Sequence, residues 1–243
     1  MRIVQPAKGF QKVIGSSSST GRSWKEKVEG GKKDVNLICP PNIGWIEYKL
    51  DTQEMDYIWR CIKNNTGNYK SHLAGIIDRS YGLYDRGDWF WTNTIKPLLT
   101  EYSNNFVNLG NTLGTTLYHA YCLNKWWVNY QKENEFNPLH DHTGIYSFVI
   151  WMKIPEGVGY TKQNENQLSR MANCHPISSF QFSYTDMLGK LQVYDYRLEK
   201  EDEGTMVLFP ASLNHQVYPF YNCDEERISV SGNISADSLK SNA

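Results

Sequence analysis

The pattern of apolar and polar positions divides the chain at about Gly114. Before it, two segments carry a helical period. Asp51 and Glu54 have capping-box spacing, with Met55, Ile58, Trp59 and Ile62 following on one face. Gly67 and Asn68 then offer a stop. A second helix is expected from about Asn93 to Phe106, with Ile95, Leu98, Leu99, Tyr102 and Phe106 aligned and Pro97 tolerated in the first turn. After Gly114 the period shortens to that of strands. β-Rich runs occur at Thr116–Leu123, Trp126–Gln131, Tyr146–Ile154, Ser178–Tyr184, Leu191–Arg197, Thr205–Phe209, His215–Pro219 and Arg227–Ile234. Short strands separated by Gly, Pro, Asn and Asp predict a mainly β domain of sandwich or jelly-roll type, braced outside by the two helices.

Residues 1–34 stand apart. Their later part, GSSSSTGRSWKEKVEGGKKD, offers almost nothing to bury and predicts a flexible arm. Its glycine spacing is one residue too long for a phosphate-binding loop, and Arg22 stands where that loop needs lysine. Residues 35–243 are expected to form a single domain, with mixed helical support over 35–113 and a β core over 114–235. The polar stretch Glu156–Pro176 is long for a connection and could serve as a lid.

Composition adds constraints. The 243 residues carry a net charge of −1, which gives no basis for binding nucleic acid. No apolar run is long enough to cross a membrane as a helix, and the start MRIVQPAKGF is too polar for a secretory leader. The five cysteines are scattered and odd in number, so no disulfide framework or Cys-x-x-Cys site is expected. These features predict a cytoplasmic protein.

The chemistry centres on NPLHDHTGIYSFVIWMKIP, from Asn137 to Pro155. Alternate side chains of a strand share a face, so His140 and His142 can converge on one point while Asp141 turns away. A third imidazole, His215, comes from a distant strand. Ferrous oxygenase sites use three protein ligands on one face of an octahedron, usually two His and a carboxylate. Alternation favours His142 as the middle ligand. Asp141 would supply the usual carboxylate if the strand bulged there. Arg227 offers a planar fork for a carboxylate, and Ser229 shares its strand face. The plain alternative for Arg227 is a surface ion pair with Glu225 or Glu226. Asn129 and Tyr121 sit on strands entering the site and are candidates to hydrogen-bond a co-substrate. Trp126 and Trp127 are expected in the core and at the rim. Cys174 with His175 has no matching pair, and His72 and His119 have no evident partners.

The pattern Asn137, His140, His142, Ser147 and then Lys153-Ile154-Pro155 resembles the 2-oxoglutarate/Fe(II) oxygenase superfamily, closest to a prolyl-hydroxylase-like group of marine phages and bacteria. EGTMVLFPASLNHQVYPF followed by ERISVSGNI resembles that family's distal-histidine strand and Arg-x-Ser strand. The resemblance covers about Leu117–Ile234 and implies a double-stranded β-helix. It implies Fe(II) on His140, His142 and His215, with the distal carboxylate of 2-oxoglutarate on Arg227 and Ser229. Activity would consume O2, convert 2-oxoglutarate to succinate and hydroxylate a C–H bond of a peptidyl or small-molecule substrate. The departure is His142, where the wider superfamily has Asp. Two rivals are a cupin-type metalloenzyme that does not use 2-oxoglutarate, and a non-catalytic jelly-roll module such as a virion component.

Overall fold

The computed structural model describes residues 23–24, 37–38, 43–106, 109, 119–166 and 176–238. Most of the expected N-terminal arm lies outside the described residues, as do Cys174 and His175. From the arm, β1 (Ser23–Trp24) pairs with β2 (Leu37–Ile38), just beyond it. Then follow β3 (Ile46–Lys49), α1 (Thr52–Lys63), β4 (Gly67–Asn68), β5 (Arg79–Gly82) and α2 (Lys96–Asn105). The second half contains β6 (His119–Gln131), β7 (Asn137–His140), β8 (Tyr146–Lys153), α3 (Tyr160–Asn164), β9 (Phe180–Thr185), β10 (Leu191–Tyr196), β11 (Thr205–Pro210), β12 (His215–Val217) and β13 (Arg227–Ser238).

From β6 onward the chain crosses repeatedly between two antiparallel sheets. The large sheet runs β3-β11-β8-β13-β6-β5-β4 and the small one β10-β9-β12-β7. Strands β6, β8, β11 and β13 belong to the first, and β7, β9, β10 and β12 to the second. That alternation is the double-stranded β-helix. The central strand β8 is buried on both faces, which explains its unbroken apolar sequence. Phe148, Ile150 and Met152 face the helices, while Val149 and Trp151 meet Phe180, Phe182 and Phe209 between the sheets. Each such side chain, fully buried, contributes on the order of 1.5–3 kcal/mol.

The helices are fixed by specific caps. Asp51 accepts from the Glu54 amide at 2.8 Å, and Glu54 Oε2 accepts from the Asp51 amide at 2.9 Å, the reciprocal box expected from sequence. The same buried carboxylate accepts from Tyr48 on β3 and from Thr94, tying α1 to its neighbours. Asp85 accepts from the amides of Phe90 and Trp91 and so caps the second helical segment, whose first turn Trp91–Ile95 is of π type.

Several expectations need correction. Helix α1 ends at Lys63, and Gly67–Asn68 is strand β4 rather than its stop. Trp59 is 36% exposed; Tyr57 and Cys61 take the inner face with Ile58 and Ile62, because i, i+3 and i+4 positions from Glu54 select them. The two strands expected before Lys132 are one, β6, interrupted by a bulge. Asn233 pairs with Lys125 and Ile234 with Leu123, so Asn124 is the extra residue. The supporting region also contributes three strands, β3, β4 and β5, to the large sheet.

Candidate metal centre and co-substrate cavity

A cavity of about 280 Å³ opens between the two sheets. Into it the topology brings His140, His142 and His215, whose ligand nitrogens all lie within 4.8 Å of one another. The small sheet supplies two of them directly. His140 ends β7, His215 begins β12, and the two residues face each other as register partners. His142 lies two residues past β7, in a loop held by its amide to the Ala211 carbonyl at 2.9 Å. Backbone placement therefore presents all three rings.

Hydrogen bonding sets their tautomers. His140 Nδ1 lies 2.7 Å from the Pro138 carbonyl and His215 Nδ1 lies 2.9 Å from that of Leu213. A carbonyl can only accept, so both Nδ1 atoms carry the proton and both Nε2 atoms keep a lone pair. His215 Nε2 is 3.1 Å from His142 Nε2. Two adjacent ligands about 2.1 Å from an ion, at right angles, would be separated by about 3 Å, so this pair has the spacing of two ligands of one ion, with the third imidazole close by. Burial keeps the His142 and His215 rings neutral, as ligands must be. Desolvation, reinforced by His140, lowers the His142 pKa to about 4, and His215 is pushed well below its usual value by the same causes. The Asp141 side chain is exposed at the rim and its carboxylate is not part of the three-histidine group.

Arg227 lines the same cavity, 2% exposed. The surface ion pair weighed for it is absent, since Glu226 pairs with Arg79 at 2.6 Å and Glu225 with Lys153 at 3.2 Å. Its guanidinium instead donates to neutral oxygens: Gln131 Oε1 at 2.7 and 3.0 Å and the Ser178 carbonyl at 2.6 Å. Two longer contacts, both at 3.3 Å, reach Ser178 Oγ and the Tyr218 carbonyl. The fork is held rigidly, yet no described acid neutralises its charge. Burial lowers its pKa to about 10, still far above neutrality. A buried cation facing a cavity is a site for an anion.

A model of the family described as "Putative 2OG-Fe(II) oxygenase" matches residues 125–233, the stretch that carries all three imidazoles and Arg227. Over that stretch the chain is similar to the 2-oxoglutarate/Fe(II) oxygenases. Among solved structures, it is similar to a 2OG-Fe(II) oxygenase-family oxidoreductase from Burkholderia pseudomallei (14% identity, 80% of this chain and 85% of that one, TM-score 0.43). It is similar to a Pseudomonas putida prolyl-4-hydroxylase (15% identity, 80% and 94%, TM-score 0.42). A third is the viral collagen prolyl hydroxylase from Paramecium bursaria Chlorella virus-1, solved with 2OG (13% identity, 78% and 94%, TM-score 0.44). No curated protein matches the chain.

The structure places the other expected site residues unevenly. Ser229 and Asn129 line the cavity, and Asn129 Oδ1 is buried without a hydrogen-bond partner among the described residues. Tyr121 does not line it. The bulge at Asn124 reverses strand parity, so Tyr121 packs with Tyr146 on the helical side of the sheet. Trp126 is core, whereas Trp127 lines the cavity and stacks on Tyr69 at 5.1 Å. The described part of the expected lid, Glu156–Asn166, is anchored elsewhere: Gln163 donates to the Tyr221 carbonyl and Thr161 to Glu199. Leu73, Ala74 and Ile77, from the segment between β4 and β5, stand at the cavity instead. Sequence reasoning missed Gln131 and Lys125 as cavity residues and took Trp127 no further than core or rim, although alternation from Asn129 along β6 pointed to all three. Nothing in the sequence marked Tyr69 to Ile77. No helix among the described residues is long and apolar enough to cross a membrane.

Proposed function

We propose that His140, His142 and His215 hold Fe(II), that Arg227 takes the distal carboxylate of 2-oxoglutarate, and that the protein hydroxylates a C–H bond of a small-molecule or peptidyl substrate. The observation that carries this reading is one cavity holding both a compact three-imidazole group and a buried guanidinium with no acidic partner among the described residues. When bound, the iron supplies O2 activation coupled to oxidative decarboxylation of 2-oxoglutarate to succinate. The chain's own residues prepare the place. The Pro138 and Leu213 carbonyls orient two ligands. Gln131 and Ser178 hold the guanidinium, and its two long contacts are the ones a carboxylate displaces. Ser229, next along β13 and paired with Asn129 on β6, offers a hydroxyl donor beside it. Phe180, Phe209 and Trp151 wall the space against water. Three neutral ligands leave the ion its full charge, which favours a dianionic co-substrate.

Anaerobic addition of Fe(II), with and without 2-oxoglutarate, tests the reading. A visible charge-transfer band that requires 2-oxoglutarate, and is lost in Arg227→Ala, supports it. A band independent of 2-oxoglutarate favours a cupin-like enzyme, and absence of iron binding favours an inert jelly-roll module.

A further inference from the structure

A wholly buried guanidinium is ordinarily matched by a carboxylate. Four glutamates lie close along the chain to Arg227 or to its register partner Gln131, yet each is committed elsewhere. Glu225 and Glu226 hold Lys153 and Arg79. Glu135 accepts from the amides of Asp78 and Lys132, and Glu133 from that of Asn222. The position that faces Arg227 across the β6–β13 ladder is filled instead by the neutral amide of Gln131, 3% exposed.

The two ends of that amide meet opposite demands. Gln131 Nε2 donates to the Glu135 carbonyl at 2.6 Å, with a longer contact of 3.4 Å to that of Tyr218. Carbonyls only accept, so the nitrogen must lie on that side and Oε1 must face the guanidinium. There Oε1 accepts from both Nε and Nη2, at 3.0 and 2.7 Å. A single oxygen reaches both only along the side edge of the fork, where those two N–H groups run parallel. The Ser178 carbonyl takes an Nη1–H at 2.6 Å. Three of the five guanidinium N–H groups are then used in short bonds, and the remaining two, one on each Nη, have only the contacts at 3.3 Å.

We infer that Gln131 is the positioning and specificity-determining residue of this anion site. Its oxygen fixes the plane of the fork and fills the side edge. Its lack of charge reserves the cation for a carboxylate arriving at the Nη1/Nη2 end. A glutamate at this position, nearly equal in size, would satisfy Arg227 from within the fold and close the site to anions. This role rests on the proposed placing of 2-oxoglutarate at Arg227.

The test titrates 2-oxoglutarate into full-length, Zn(II)-loaded protein by calorimetry, in the wild type and in two variants of similar side-chain length. Gln131→Glu should weaken binding at least about 100-fold, because the incoming anion must compete with an internal partner. Gln131→Met keeps the position neutral and loses only the orienting bonds, so it should weaken binding about three- to tenfold. Zn(II) stoichiometry, set by the histidines, should stay at the wild-type value in both and reports that the cavity has formed. Near-wild-type affinity in Gln131→Glu, or a Gln131→Met protein as weak as Gln131→Glu, overturns the inference. If Gln131→Glu does not fold, Gln131→Met decides alone: a moderate loss upholds the role, and either no change or complete loss overturns it. Wild-type protein that takes Zn(II) but not 2-oxoglutarate brings down the proposed function. Wild-type protein that takes both, with variants departing from the expected order, brings down only the role of Gln131.

Discussion

The two faces of the large sheet are built from the same strands and obey different rules. Toward the helices, β8 and β13 present Phe148, Ile150, Met152, Val230 and Ile234, all of them buried within one apolar cluster. Toward the small sheet, β13 presents Arg227, Ser229, Ser231 and Asn233, and β6 presents Gln131, Asn129, Trp127 and Lys125. One face gains its free energy from water-excluding contact. The other retains unpaired polar atoms and an unneutralised cation, at a cost the first face must offset. Stability and chemistry are thus separated by a single residue of alternation. A one-residue shift of register would exchange them.

Replacing single residues on either face should separate these roles. The largest effect is expected for His215→Ala. Iron stoichiometry should fall to near zero and turnover should vanish, while urea unfolding of the metal-free protein changes little; an iron-replete His215→Ala protein would break the assignment. On the opposite face, Ile150→Ala should cost about 2–5 kcal/mol by urea denaturation and leave iron stoichiometry intact in the folded fraction. Arg227→Lys keeps the charge but loses the planar fork. It should raise the dissociation constant for 2-oxoglutarate about 10- to 100-fold, measured by titrating the chelate band. The smallest effect is expected for Gly232→Ala. A methyl group there would meet the Phe148 ring at 2.5 Å and Trp126 Cβ at 2.8 Å, so overpacking should cost about 1–3 kcal/mol without moving 2-oxoglutarate affinity.

How much of this was legible depended on the range of the signal. Helix α1 was announced by Asp51 and Glu54, which act on each other within one turn. Strand β8 was announced by an apolar run that only a doubly covered strand requires. The histidines could be singled out because metal chemistry asks for that residue type at close spacing, although His142 reaches the cavity from a loop beyond β7 and not by strand alternation. Tyr121 was misplaced because a bulge is set by pairing with β13, far away in sequence, and Asn124 carries no local mark of it. Strands β3 and β5 went unseen for a similar reason. Each has four residues with alternating partial burial, and each is stabilised by a neighbour rather than by its own pattern. Tyr69 reached the cavity by stacking on Trp127, a contact that no spacing rule encodes.

The register partnership of His140 and His215 has a mechanical side. Strand β7 forms the border of the small sheet, is four residues long, contains Pro138 and leans on a single neighbour through an irregular ladder. An ion shared by those two side chains would rivet that border to β12, much as a covalent cross-link would. Amide hydrogens around Leu139 and His140 should therefore exchange markedly more slowly in the metal-loaded protein than in the stripped one. The catalytic ion would double as the fastener of its own wall.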